Sequence, residues 1–227
     1  MSDDSGQASR ELYPAPPESL LIEGLGRRFG RREVIRDLNL RLEQGERLAL
    51  CGPNGSGKTT ILRCIAGTVT PTAGRVAVFG QPAGSQKARH LVGVSLSQER
   101  SFYLRLSGRE NLLFAAGARG ISRVEALRRV AALEDELDLH AILAARVDRC
   151  STGMVQQLAF ARALIGDPAI ALLDEPTRSL DTKAHDRLWA AIEDRDQLTL
   201  LIATHRDDDV GRCHRRIDLD VLEPHRN

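Results

Sequence analysis

The chain has 227 residues, 42% hydrophobic and 28% charged, with 32 basic and 31 acidic side chains and a formal net charge of +1. That profile fits one soluble globular domain, long enough to bury roughly 70% of the surface its unfolded form exposes without a disulfide or metal staple. The near-zero charge balance excludes a strong nucleic-acid field or a basic membrane-surface patch, so no nucleic-acid partner is expected.

Residues 1–18, rich in Asp, Ser and Gly and closing on Pro14, Ala15, Pro16 and Pro17, read as a disordered leader, and 19–227 as a single domain. Apolar runs bounded by turn residues predict strands at Ser19–Glu23, Val34–Leu42, Arg47–Cys51, Arg75–Phe79, Leu91–Leu96, Ile170–Leu173 and Thr199–Ala203. Several alternate with helical patterns, which implies an α/β fold with a parallel sheet. Arg109–Arg149 differs: Val124, Leu127, Val130, Leu133 and Leu137 recur at helical spacing, a helical subdomain inserted at about residues 100–160. The chain ends soon after the last predicted strand, which leaves no room for a regulatory or substrate-binding domain. No run approaches the roughly 18 apolar residues of a spanning helix, so the chain is expected not to cross a membrane by itself. Cys51, Cys64, Cys150 and Cys213 form no CxxC pair and read as reduced thiols of a cytosolic protein.

The strongest chemical signal is Gly52-Pro53-Asn54-Gly55-Ser56-Gly57-Lys58-Thr59, set between the strand Arg47–Cys51 and a helix around Thr60–Ala66. Its glycines let backbone N–H groups turn inward around phosphate oxygens, and the helix N-terminus adds a favourable dipole. Lys58 is expected to reach the β/γ-phosphates and the Thr59 hydroxyl to ligate Mg2+. A plain glycine-rich turn requires neither side chain. The second signal is the apolar run Ile170–Leu173 ending in Asp174 and Glu175. Adjacent strand residues point opposite ways, so Asp174 can hold the metal while Glu175 polarises the attacking water.

Between these two lies Cys150-Ser151-Thr152-Gly153-Met154-Val155-Gln156-Gln157, followed by Ala159-Phe160-Ala161-Arg162-Ala163-Leu164. This segment resembles the signature of ATP-binding cassette (ABC) ATPases, whose usual Leu-Ser-Gly-Gly-Gln keeps here only the serine and the second glycine. The Ser-x-Gly-Met form resembles the exporter subfamilies called ABC-2 type, which handle drugs, lipids or polysaccharides, and Leu106–Leu112 is similar to the same exporters. The resemblance spans about residues 19–210. It implies a P-loop NTPase core with a mostly parallel sheet, an N-terminal antiparallel β subdomain and the inserted helical subdomain. It also implies ATP and Mg2+ as cofactors, with Thr60 joining the phosphate loop in nucleotide binding.

The resemblance assigns further roles in family order. Phe29 stacks on adenine. Gln98 reads the metal and the attacking water, Ser179-Leu180-Asp181 forms the D-loop after an unusual Arg178, and His205 donates to the γ-phosphate. Two ATP molecules are sandwiched in a head-to-tail homodimer or heterodimer of cassettes, with Ser151, Thr152, Gly153 and Met154 meeting the partner's nucleotide. Arg100–Leu106 falls where the family receives a coupling helix; Phe102 and Tyr103 either meet that helix or pack within the helical subdomain. The implied role is an export motor on the cytoplasmic face of a membrane, peripheral through a separate permease. The alternative is a soluble ATPase serving an assembly complex such as iron–sulfur cluster biogenesis.

Overall fold

The computed structural model describes residues 18–96 and 102–220. The expectations for the leader up to residue 17, for Gln98 and for Arg100 lie outside the described residues. Strands β1 (Glu18–Phe29) and β2 (Arg32–Glu43) form an antiparallel hairpin through Gly30-Arg31. After β3 (Arg47–Cys51) and α1 (Lys58–Ile65), β4 (Ala73–Val78) and β5 (Gln81–Pro82) join that hairpin in the order β2-β1-β4-β5. Leu20, Ile22 and Leu25 of β1 with Leu40 and Leu42 of β2 are buried, the one-sided pattern of a sheet covered on one face. This is the expected antiparallel subdomain, and β1 starts at Glu18, one residue before its expected beginning.

The second sheet is parallel throughout. It runs β6 (Val92–Ser95), β7 (Ile170–Asp174), β8 (Thr199–Ala203), β3, β9 (Arg215–Asp218). Every residue of β7 and β8 is buried, because helices or the other sheet cover both faces. Alternation divides the strands between two cores. Leu48, Leu50, Leu172 and Leu201 pack with the antiparallel sheet and α1, whereas Ala49, Ala171, Leu173 and Ile202 face Phe160 and Trp189. Each fully buried Leu or Ile contributes about 1.5–3 kcal/mol relative to exposure.

The helical subdomain consists of α3 (Gly108–Ala118), α4 (Arg123–Leu137) and α5 (His140–Ala144), after α2 (Gln86–Leu91) and before α6 (Thr152–Leu164). Ser107 and Glu110 form a reciprocal capping box at α3, and Ser122 caps α4. Two further helices are the 12-residue α7 (Thr182–Glu193) and the short α8 (Asp207–Val210). Two strand expectations change. Leu91 closes α2 instead of opening a strand, and the edge strand β9 follows β8 although its residues, Arg215–Asp218, form no apolar run.

α6 leans on β6 at Gly93, where an added β-carbon would lie 2.3 Å from the Ala163 carbonyl oxygen and 2.8 Å from Pro168 Cγ. Gly93→Ala is therefore expected to push helix from strand and destabilise the fold by about 2 kcal/mol. Urea denaturation checks this, and an unchanged midpoint contradicts the close approach.

Candidate functional site

The phosphate loop follows β3 at the carboxyl end of the parallel sheet, where ligands of such sheets bind. Gly52, Gly55 and Gly57 have φ of 134°, 87° and 99°, values that side-chain-bearing residues rarely adopt. A β-carbon on Gly52 would lie 2.3 Å from the Leu219 carbonyl oxygen. Gly57 occupies the N-cap position of α1 with no side-chain cap, so the first-turn N–H groups keep their capacity for an anion. Pro53, Asn54 and Gly55 form an exposed lip, and Thr60 is half-buried in the first turn.

The side chains fit a polyphosphate with a hard cation. The Lys58 ammonium is buried and donates to the carbonyl oxygens of Gly52 at 2.6 Å and Pro53 at 3.0 Å. Ser56 Oγ is buried and has no hydrogen-bond partner. Thr59 Oγ1 donates to Asp174 Oδ2 at 2.8 Å, which brings the two expected metal oxygens together across 115 positions. Both are hard oxygen ligands of the kind Mg2+ takes, and such sites usually complete the set with phosphate oxygens and water.

Glu175 corrects one expectation. Asp174 ends β7, but Glu175 adopts φ 52° and leaves the strand, so the two carboxylates are separated by a backbone turn and not by strand alternation. Its N–H still donates to the Ala203 carbonyl of β8 at 2.8 Å. A left-handed non-glycine residue costs on the order of 1 kcal/mol. His205, just beyond β8, places Nδ1 at 2.7 Å from Glu175 Oε2. The approach is not directed as a hydrogen bond, because that buried oxygen accepts none. Lys58, Asp174, Glu175 and His205 thus follow three adjacent strands, β3, β7 and β8.

Residues given no role of their own in the sequence reading hold this arrangement. Asp209, with no exposed surface, accepts hydrogen bonds from Thr177 Oγ1 at 2.6 Å, Thr204 Oγ1 at 2.8 Å and Trp189 Nε1 at 2.9 Å. His185 Nε2 lies 3.1 Å from Asp209 Oδ1, the oxygen that also accepts from Trp189, whereas both threonines donate to Oδ2. Thr177 follows Glu175 by two residues and Thr204 precedes His205, so one carboxylate ties both loops to α7. Gln156 of α6 spans a second gap: its side-chain amide donates to the Glu175 carbonyl, and its Oε1 accepts from Ser179 N–H at 3.0 Å. The only sequence signal for Asp209 is the run Asp207-Asp208-Asp209, which by itself reads as solvated charge.

The signature and D-loop residues meet each other within this chain. Ser151 caps α6 by accepting from Met154 N–H at 3.2 Å, Thr152 opens the helix, and Met154 packs on the core. A β-carbon on Gly153 would lie 2.6 Å from the Ser179 carbonyl oxygen, an intrachain reason for that glycine. Leu180 packs on the core and Asp181 caps α7 through Ala184 N–H at 2.8 Å. Among the described residues, none of the four signature residues bonds to the phosphate loop. Phe29 ends β1 with 47% of its surface exposed, and the Arg27 guanidinium carbon lies 4.3 Å from the ring centroid. Burial pushes the thiols of Cys64 and Cys213 up to about 11 and about 12, which leaves them unreactive near neutral pH.

Phe102 and Tyr103 part company. Phe102 is half-buried under Arg162, whose guanidinium carbon is 4.3 Å from its ring, and packs on the core. Tyr103 and Phe114 meet edge-on at 4.7 Å between centroids and, with Leu104, leave more than half of their surface exposed.

A family model described as ABC transporter matches residues 35–178, well over half of the chain. The Nod factor export ATP-binding protein I of Rhizobium meliloti (strain 1021) is 36% identical across 97% of this chain and 67% of its own length. The phosphonates import ATP-binding protein PhnC of Anaeromyxobacter dehalogenans (strain 2CP-C) is 35% identical across 85% of this chain and 42% of its own length. Among solved structures, an ATP-binding subunit of an ABC transporter superposes with a TM-score of 0.81 at 27% identity, covering 90% of this chain and 88% of that one. The glycine loop, the Thr59–Asp174 pair and the Glu175–His205 contact therefore sit in a chain that belongs to the ABC transporter family, as its ATP-hydrolysing cassette.

Proposed function

We propose that this cassette drives export of a substrate through a separate membrane permease, from the cytoplasmic face, as one of two cassettes that close around ATP. The observation that carries the hydrolytic part is the convergence of Lys58, Thr59, Asp174, Glu175 and His205 at the ends of adjacent strands. Lys58 holds the phosphate chain together with the loop N–H groups and Ser56 Oγ. Glu175 orients the attacking water and takes its proton, while His205 donates to the terminal phosphate. Mg2+, when bound, neutralises charge on the phosphates; Thr59 and Asp174 are the residues that would hold it, with Gln98. Ser151 and Gly153 serve the nucleotide held by the partner cassette, with the D-loop Ser179, Leu180 and Asp181 beside them.

Export is supported by the Ser-x-Gly-Met signature and by the relative named for Nod factor export, although a relative named for import matches at similar identity. A membrane partner is supported by the exposed cluster of Tyr103, Leu104 and Phe114, an apolar surface suited to an amphipathic helix. Among the described residues no helix is long and apolar enough to cross a membrane.

Glu175→Gln is expected to bind ATP with near wild-type affinity and to form a stable ATP-dependent dimer, while steady-state phosphate release falls about 100-fold or more. Wild-type turnover contradicts the assignment of the base. Lys58→Ala is expected to lose nucleotide affinity instead, read by ATP titration. Pull-down of the Glu175→Gln chain from gently solubilised membranes is expected to retain a multi-span protein; retention of soluble scaffolds alone replaces the transporter reading with the assembly one. Gln156→Ala is expected to lower kcat about tenfold with KM for ATP unchanged, because its amide holds the backbone of the base and the D-loop. A raised KM with unchanged kcat contradicts that role.

A further inference from the structure

We infer that Arg32 is a nucleotide-binding residue, which sets its guanidinium against the phosphate chain of a nucleoside di- or triphosphate between Phe29 and the phosphate loop. The inference rests on the reading of that loop as the nucleotide site. It starts from the hairpin. Only Gly30 and Arg31 separate β1 from β2, so Arg32 is paired directly across from Phe29. A register shift in the pairing leaves Val34 as an extra residue between Glu33 and Ile35, and this bulged end of β2 turns one face to the loop.

That face lies along the phosphate loop. A β-carbon on Gly57 would lie 3.0 Å from the Val34 carbonyl oxygen and 3.4 Å from its Cγ1, and one on Gly55 would lie 3.6 Å from Nη2 of Arg32. Val34 and Ile35 together cover Gly57, and Arg32 reaches Gly55. Glu33, between them, is engaged by Arg28 at 3.8 Å and Arg36 at 2.6 Å, and so does not neutralise Arg32. Among the described residues Arg32 has no hydrogen bond or ion pair. A guanidinium is a planar fork matched to phosphate oxygens, and one poised without a carboxylate beside a glycine loop has an anion as its natural partner.

The spacing is held rigidly. Arg27 Nη1 donates to the Thr70 carbonyl at 2.9 Å, Arg28 N–H to Thr72 Oγ1 at 3.1 Å, and Thr72 N–H to the Gly26 carbonyl at 2.8 Å. These bonds fix the hairpin to the segment that follows α1, which itself begins in the phosphate loop. Base shelf, arginine and loop therefore form one body, and a ligand that touches all three carries both a base and phosphates.

The test is equilibrium binding of ATP, ADP and adenosine to the full chain as wild type, Arg32→Ala and Arg32→Lys, at two salt concentrations. The expected result for Arg32→Ala is about tenfold weaker binding of ATP and ADP with a shallower salt dependence, unchanged adenosine binding, and partial recovery in Arg32→Lys. ATP and ADP affinities within twofold of wild type overturn the inference. Equal loss of adenosine binding also overturns it, since that reports a distorted Phe29 hairpin. Failure of wild type and Lys58→Ala to differ in ATP affinity sinks the nucleotide-site reading itself, a result separate from either.

Discussion

The arrangement of this site depends on one buried carboxylate. Asp209 has no exposed surface, and a charge in that position persists only when its lone pairs are filled. Four donor-bearing side chains surround it: Thr177, Thr204, Trp189 and His185. They come from the loop after β7, the loop after β8 and α7. Hydrogen bonds to a charged group contribute about 1.5–3 kcal/mol each, and leaving such a group partly unpaired costs several kcal/mol. The two loops that carry Glu175 and His205 are consequently held at one mutual distance. His205 Nδ1 approaches Glu175 Oε2 to 2.7 Å between those anchored loops, and Glu175 adopts its left-handed conformation there.

The same segments serve structure and chemistry. Ser151, which the family resemblance assigns to a partner's nucleotide, and Asp181, which it assigns to the D-loop, each cap a helix of their own chain. Gly153 is required by the Ser179 carbonyl whether or not a second nucleotide is present. Gln156 bonds the signature helix to the backbone of the catalytic base and of the D-loop at once. The positions of α6, of the Glu175 backbone and of Ser179 are therefore mechanically linked within this chain.

What was legible in the sequence follows from the physics of each feature. β7 and β8 were plain because strands buried on both faces must be apolar throughout. The phosphate loop was plain because positive φ at Gly52, Gly55 and Gly57 demands glycine, and a plain glycine-rich turn does not require Lys58 and Thr59 to follow. β9 was hidden because Arg215-Arg216-Ile217-Asp218, at a sheet edge, is mostly exposed and carries no apolar period. Asp209 and Gln156 were hidden for another reason: their partners lie 32 and 19 positions away, and neither an acidic run nor a glutamine in a helix announces what it will meet. Glu175 was legible as a carboxylate at the strand end, but its departure from the strand came from backbone geometry that side-chain alternation cannot express.

The most direct test of this account is single-turnover ATP hydrolysis by Asp209→Asn, with ATP affinity and unfolding midpoint measured on the same preparation. Asparagine keeps the shape but turns one acceptor into a donor, facing groups that already donate. The account predicts a folded chain that binds ATP within about threefold of wild type and hydrolyses it at least tenfold more slowly, because binding rests on the phosphate loop and catalysis on the anchored pair. A folded variant with wild-type hydrolysis would contradict it, and would mean that Glu175 and His205 hold their positions without the buried carboxylate.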